Sequence, residues 1–503
     1  MRFMQTVGAA ALIAAMAASA QAQELRIGLQ DDADVLDTDQ SRTFVGRIVY
    51  TALCDKLVDI DPDLNIVPQL ATDWSWSDDE TELTMSLREG VVFHDGTPFN
   101  ADAVVANIDR SKNLPESRRK SEVASISAVE AVDAFTVRFT LNAPDATLLA
   151  QLSDRAGMMI SPTAAEEMGV DFGSAPVCSG PFRFVERVQQ DRIALERFED
   201  YWNADAIHLD AVTFLPIPDT TVRLANLRAG DLDMIERLAA TDLASARADA
   251  NLTVEDITAL GYQGITMNVG NGPRSEEPFG QDARLRQALS LSIDRNALNQ
   301  VVFEGAFTPG NQPVPPGATF YDARFPVPER DVEAARALLA EAGFADGVEI
   351  TVQVANNPVQ TQVMEVVQAM AAEAGIDISI RATEFATLLQ QQTAGEYQGS
   401  QVGWSGRTDV DGNIHQFVTC EGGINDSGFC DPRVDELLDR ARTSNDPAVR
   451  KEAYDASREI LNEELPIIYL YHPSWIWAMS ANLEGFTAYP DGMIRLEGVR
   501  FTD

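Results

Sequence analysis

Histidine and cysteine are scarce in this chain of 503 residues, with four of each. His94, His208, His415 and His472 are scattered, and no Cys or His spacing matches a zinc site, so a metal centre finds no ligand set. Basic residues are also few: 38 Lys and Arg stand against 78 Asp and Glu, for a net charge of −40 and a pI near 4.3. That balance argues against nucleic acid and against anionic membrane as partners. The acidic residues are spread along the chain rather than gathered in a tail, which reads as solvated surface. Beyond Ala18 no apolar run reaches membrane length. There is no nucleophile elbow, and no His is placed to partner a Ser or Cys.

What is present begins at the N-terminus. Arg2, the alanine-rich apolar run Val7 to Ala18, and the small residues of Ala20-Gln21-Ala22 read as a secretory signal over 1–22, cut after Ala22. No Cys follows the cut, so no lipid anchor is expected, and the mature product should be soluble and periplasmic. In an exported chain four cysteines suggest disulfides. Cys420 and Cys430 flank a loop rich in Gly, Asn and Asp and are expected to pair, which leaves Cys54 for Cys178. The length exceeds one core, so two or three lobes are expected.

Glu24 to Leu29 alternates like a strand and ends in the polar group Gln30-Asp31-Asp32. Asp95-Gly96 marks a tight turn and Asn100 a helix cap. Asp282 caps a long helix expected from Ala283 towards Val302. Arg284, Arg286 and Arg295 on it read as surface or interlobe salt bridges. Strands at Val348 to Val354, Ile376 to Arg381 and Ser400 to Trp404 alternate with helices, the longest from Pro358 to Ala374. This βαβαβ order predicts parallel strands with crossover helices, and ligands in such sheets sit beyond the strands' carboxyl ends.

Two of those ends are polar. Asn356-Asn357 follows one. The other is Gly403-Trp404-Ser405-Gly406-Arg407-Thr408-Asp409-Val410-Asp411-Gly412-Asn413, where a guanidinium, two carboxylates and a carboxamide follow an aromatic. It reads either as a ligand-facing loop or as a solvated turn. Candidate ligand contacts are therefore Trp404, Arg407, Asp409, Asp411, Asn356 and Asn357 from one lobe, with Tyr262 at a strand start, and Gln30 and Asp31 from the other. Trp404 stacks on ligand or fills core. Arg407 clamps an anion or pairs with Asp409 or Asp411. His415 reads as surface.

Several segments together resemble a known family. They are Pro68-Gln69-Leu70-Ala71, Leu87-Arg88 through Asp102, Ser179-Gly180-Pro181-Phe182, Tyr201-Trp202, Leu209 to Asp233, Arg284-Leu285-Arg286-Gln287-Ala288-Leu289-Ser290 with Ile293-Asp294-Arg295, Ala335 to Gly343, and Gly403-Trp404. In this order they resemble the periplasmic substrate-binding proteins of ABC importers in solute-binding family 5, which includes dipeptide and oligopeptide binders. The resemblance implies an α/β, two-lobed periplasmic binding fold of the type II kind with an extra α+β subdomain. Lobe I is expected from 23–60, 173–263 and 481–503, the subdomain from 61–172, and lobe II from 264–480. It further implies a monomer without cofactor or catalysis that closes on its ligand and is read by the permease subunits.

The peptide binders place a carboxylate soon after Gly-Trp for the peptide amine; here that position holds Arg407. Dipeptide binders hold the ligand carboxylate with an Arg where this chain has Ala355-Asn356-Asn357. A modified peptide, an amino-acid conjugate or an opine-like compound fits as well as a plain peptide, with Arg407 on an anionic group and Asp409 or Asp411 on an amine. Two alternatives compete: a secreted hydrolase using Asp409 and Asp411 as paired carboxylates, and a periplasmic chaperone or sensor accessory on the same fold.

Overall fold

The computed structural model describes residues 23–502, and the expected secretory segment lies outside them. Two mixed sheets define two lobes. The first orders its seven strands Leu252–Thr258, Ser474–Ser480, Met234–Ile235, Glu24–Leu29, Ala211–Pro216, Arg192–Arg197 and Phe182–Val188. Leu25 and Ile27 are fully buried there, in one core with Val45, Ile48 and Val49 of the helix Phe44–Leu53. Thr43 starts that helix by accepting the Gly46 N–H, which satisfies a donor the first turn would otherwise leave open.

The second sheet runs Thr308–Pro309, Ile467–His472, Tyr262–Met267, Gly399–Trp404, Val348–Ala355 and Ile376–Thr383. Val348–Ala355 is parallel to both Ile376–Thr383 and Gly399–Trp404, as the βαβαβ order predicts. The crossover helix Pro358–Ala374 follows from local chemistry. Asn357 accepts the N–H groups of Val359 and Gln360, Pro358 sits where no N–H is needed, and Gly375 ends the helix at φ 96°. Val363, Val367 and Ala371, four residues apart, bury one stripe on the sheet. The sheet's other face carries the helices Asp411–Val418, Pro432–Arg442 and Pro447–Glu464. A four-stranded antiparallel sheet, Ala71–Trp76, Glu82–Leu87, Thr136–Leu141 and Ile126–Asp133, forms a further unit with its own core around the helix Ala101–Asn113.

The structure differs from the sequence reading in three places. Ser474–Ser480, expected in lobe II, hydrogen-bonds along Leu252–Thr258 in the first sheet. Its alternation decides this: Trp475, Trp477 and Met479 enter the first lobe's core, while Ile476 and Ala478 fill a smaller cluster on the opposite face. The helix expected from Ala283 breaks at Ile293, where Asp294 caps a second helix, Arg295–Phe303, by accepting the Ala297 N–H. Arg295 is not on the surface. It is buried and donates to the carbonyls of Gly310, Tyr469 and Ser290. Arg286 is likewise buried on the carbonyls of Glu464 and Phe279, whereas Arg284 is exposed and pairs with Asp282.

Both disulfides pair as read: Cys54–Cys178 and Cys420–Cys430, with sequence separations of 124 and 10 residues. Loop-closure entropy makes the longer bridge worth about 5 kcal/mol and the shorter about 3 kcal/mol. Equilibrium urea unfolding of the two double Cys→Ser variants should therefore show the larger loss for Cys54/Cys178. Equal losses would mean that the unfolded chain is not what these bridges restrain.

Candidate ligand site at the lobe interface

The chain passes between the lobes twice. Residues 259–261 join Leu252–Thr258 to Tyr262–Met267, and Pro473 joins Ile467–His472 to Ser474–Ser480. The connectors lie side by side: the Ala259 N–H donates to the Pro473 carbonyl at 2.9 Å, and His472 Nδ1–H to the Gly261 carbonyl at 2.7 Å. The loop after Gly399–Trp404 is built onto this hinge. A Cβ on Gly261 would lie 1.8 Å from the Trp404 carbonyl oxygen, so only glycine fits. A Cβ on Gly406, at φ 90°, would lie 2.4 Å from the Leu260 carbonyl carbon. Asn413 fixes the loop by accepting from the Arg407 N–H at 2.7 Å and from Trp404 Nε1 at 3.0 Å.

From this platform Arg407 reaches the other lobe. Its Nε is 2.9 Å from Asp154 Oδ2, and its guanidinium lies 4.2 Å from the Trp404 ring centre. Arg47, on the helix Phe44–Leu53, holds the same carboxylate from the opposite side, through Nε at 3.0 Å and Nη2 at 2.9 Å. Arg47 Nη1 also approaches Ser405 Oγ at 3.4 Å. Burial pushes the Asp154 pKa up, but Arg47, Arg407 and Arg155 hold it well below the usual carboxylate range. Burial brings Arg407 down to about 10, with Asp154 opposing. Further contacts close the interface: the Ala146 N–H donates to the Arg442 carbonyl at 2.9 Å, and Asn445 to Glu80 at 2.7 Å.

The other candidate residues fall into three groups. Tyr262 and Trp404 are cross-strand neighbours, and both pack on Phe417; Tyr262 is buried, and Trp404 partly so. Asp409 and Asp411 are each held by two hydrogen bonds from one arginine: Asp409 by Arg450 and Asp411 by Arg442. Arg407 therefore pairs with neither. Asn357 is occupied as a helix cap, and Asn356 is exposed beside it. Gln30 and Asp31 hydrogen-bond each other at the end of Glu24–Leu29, where the Gln30 N–H donates to Glu236. His415 pairs with Asp439.

Sequence reasoning missed Arg47, Arg119, Asp154 and Arg155. One signal was legible: Arg118-Arg119-Lys120 is the only run of three basic residues in an otherwise acidic chain. It also missed the amide chain in which Gln401 donates to Gln263 at 3.0 Å and to Gln360 at 2.7 Å.

Two outcomes follow from this geometry. Asp409→Ala leaves Arg450 buried without its partner, so it should cost about 3–5 kcal/mol of stability in urea unfolding, while ligand affinity in calorimetry stays unchanged. A loss of affinity without a loss of stability would put Asp409 on the ligand. His472 is fully buried, and burial lowers its pKa to about 4; His94 is lowered to about 4 for the same reason. The unfolded imidazoles titrate near 6.5, so between about pH 6.5 and 4 the unfolded chain binds more protons. Stability present above that window should fall as pH drops through it. His472→Asn should flatten the fall in a series of melting curves, whereas an unchanged slope would remove the hinge histidine as its source.

Residues 65–425 match the family described as bacterial extracellular solute-binding proteins, family 5 Middle. Along 96% of its length the chain is 30% identical to the glutathione-binding protein GsiB of Escherichia coli O1:K1 / APEC, covering 95% of that protein. Among solved structures it superposes on the AgaA binding protein of A. tumefaciens R10 in complex with agropinic acid. The TM-score there is 0.87 at 26% identity, over 95% of this chain and 99% of that one. The dipeptide-binding protein of Pseudoalteromonas sp. SM9913, in complex with Met-Leu, shares the fold with a TM-score of 0.89 at 24% identity, over 95% and 100% of the two chains. The chain belongs to family 5 of the bacterial extracellular solute-binding proteins.

Proposed function

We propose that the protein is the periplasmic solute-binding component of an ABC importer, taking a peptide or peptide-like solute between its lobes and presenting it to the permease by hinge closure. The observation that carries this reading is the paired connector. Two adjacent strand crossings hinge the lobes, and the loop after Trp404 is stapled to them, so what sits at the interface is mechanically tied to the lobe angle. Trp404 and Arg407 form the lobe II side of the site, and Arg47 and Asp154 face them. The relatives' ligands, glutathione and agropinic acid, agree with a peptide-like or opine-like solute.

The hydrolase alternative needs two free carboxylates across a bond. Asp409 and Asp411 are each held by two hydrogen bonds from an arginine, which supports a structural role for both. The chaperone and sensor readings share this fold and differ only in what reads the closed state.

The test is a melting-point screen of residues 23–503 against glutathione, di- and tripeptides, opines and sugars. A solute at a hundred times its Kd adds about 2.7 kcal/mol to native stability, a shift of several degrees. Peptide-like solutes should give saturable shifts, and small-angle scattering should show compaction with the same solutes. Shifts from sugars alone would overturn the assignment.

A further inference from the structure

The interface holds more positive charge than the protein itself neutralises. Arg47 and Arg407 bracket Asp154, and two further guanidiniums stand behind them. Arg119 Nη2 and Arg155 Nη1 both donate to one carbonyl, that of Ser41, at 3.1 and 3.0 Å. Arg155 also follows Asp154 directly, and its backbone N–H donates to Asp154 Oδ1 at 2.7 Å. Glu122 also stands here and pairs with Arg119. Four guanidiniums thus meet two carboxylates.

All four arginines are buried, at 3–7% exposure. Nε of Arg119 and of Arg155 is fully enclosed and has no acceptor among the described residues. Buried cations without counter-charge are costly, and an unfilled N–H on each of two adjacent guanidiniums adds to that cost. A surface patch would be relieved by water and salt; this one is shut between the lobes. Elsewhere the charges balance, since the part-buried ion pairs Asp409–Arg450 and Asp411–Arg442 match one acid to one base.

We propose that this cluster is an anion subsite that receives a carboxylate of the transported solute, so that the solute class is acidic rather than neutral. Resting on the solute-binding reading above, it narrows that reading to ligands whose carboxylate lies against Arg407 and the Arg119–Arg155 pair. The missing negative charge then arrives with the ligand. Closure without an anion leaves the cluster unbalanced, and closure with one completes it. In the closed molecule Asp154 is the resident carboxylate that bridges Arg47 and Arg407.

The experiment compares free acids with their neutral counterparts on the wild-type protein. Glutathione is titrated against its diethyl ester, and a panel of dipeptides against their C-terminal amides, by calorimetry. In parallel, melting points are read in sodium formate and in sodium chloride at equal ionic strength. The expected results are at least thirty-fold tighter binding of the acids and a saturable stabilisation by formate beyond chloride. Arg407→Gln should lose both, and Asp154→Asn should keep the preference for acids.

Equal binding of acid and neutral forms, or formate behaving as chloride, overturns the subsite. So does equal weakening of acids and neutral forms by both variants, which would make Arg407–Asp154 only a latch between lobes. The wild-type comparisons stand even if a variant fails to fold. If the solutes bind without regard to charge, the solute-binding reading survives and the subsite falls. If formate acts through Arg407 but no peptide-like solute binds, the subsite survives and the peptide-like assignment falls.

Discussion

The carboxylate of Asp154, gripped by Arg47 from one lobe and by Arg407 from the other, is the contact on which the interface depends. A single unscreened acid is asked to hold two guanidiniums in a low-dielectric setting, which makes the arrangement stiff in direction and expensive to leave half made. Arg407 can make this reach only because its loop is rigid. Asn413 holds the backbone at Arg407 and the indole of Trp404 together, and Trp404 in turn offers its ring face to the Arg407 guanidinium.

Hinge and site are one construction rather than two. Gly261 and Gly406 allow the loop backbone to lie directly on the connector, at distances any side chain would prevent. His472 bonds the two connectors with its Nδ1–H, and its Nε2 faces Gly310 without a partner among the described residues, so the ring stays neutral where a second proton would find no acceptor among them. A change of angle between the lobes must therefore move the loop that presents Trp404 and Arg407. This coupling gives hinge closure a physical basis: contact across the cleft and the geometry of the connectors share atoms.

Charge is distributed in opposite senses outside and inside. The chain carries −40 overall, yet its interlobe surface gathers arginines. At long range so acidic a protein repels an acidic solute, and screening shortens that repulsion to about 8 Å at physiological salt. The proposed preference for a carboxylate therefore rests on short-range contacts in the closed site.

Much of the architecture was legible because it rests on local rules. Alternation marked the strands, Pro358 marked the start of the crossover helix and Gly375 its stop, while Asn357, read as a ligand contact, is its cap. The βαβαβ order carried the parallel sheet, and the short spacing of Cys420 and Cys430 carried one bridge and left the other pair by remainder. The loop after Trp404 was legible as a place, since a strand end rich in ionic groups stands out. The roles within that loop were not. Asp409, Asp411 and Arg407 lie within five residues, and spacing treats them alike. Only the folded chain sends the two acids to Arg450 and Arg442 on later helices and sends Arg407 across to Asp154. Likewise Ser474–Ser480 reads as a strand in sequence, but its lobe is set by which core takes Trp475 and Trp477. The sequence alone determined the elements, the family and the stretch where function gathers, because periodicity, caps and motifs act over a few residues. The tertiary structure alone decided which charges meet, because Arg47, Arg119, Asp154 and Arg407 come from segments far apart in the chain that only folding brings within a few ångströms.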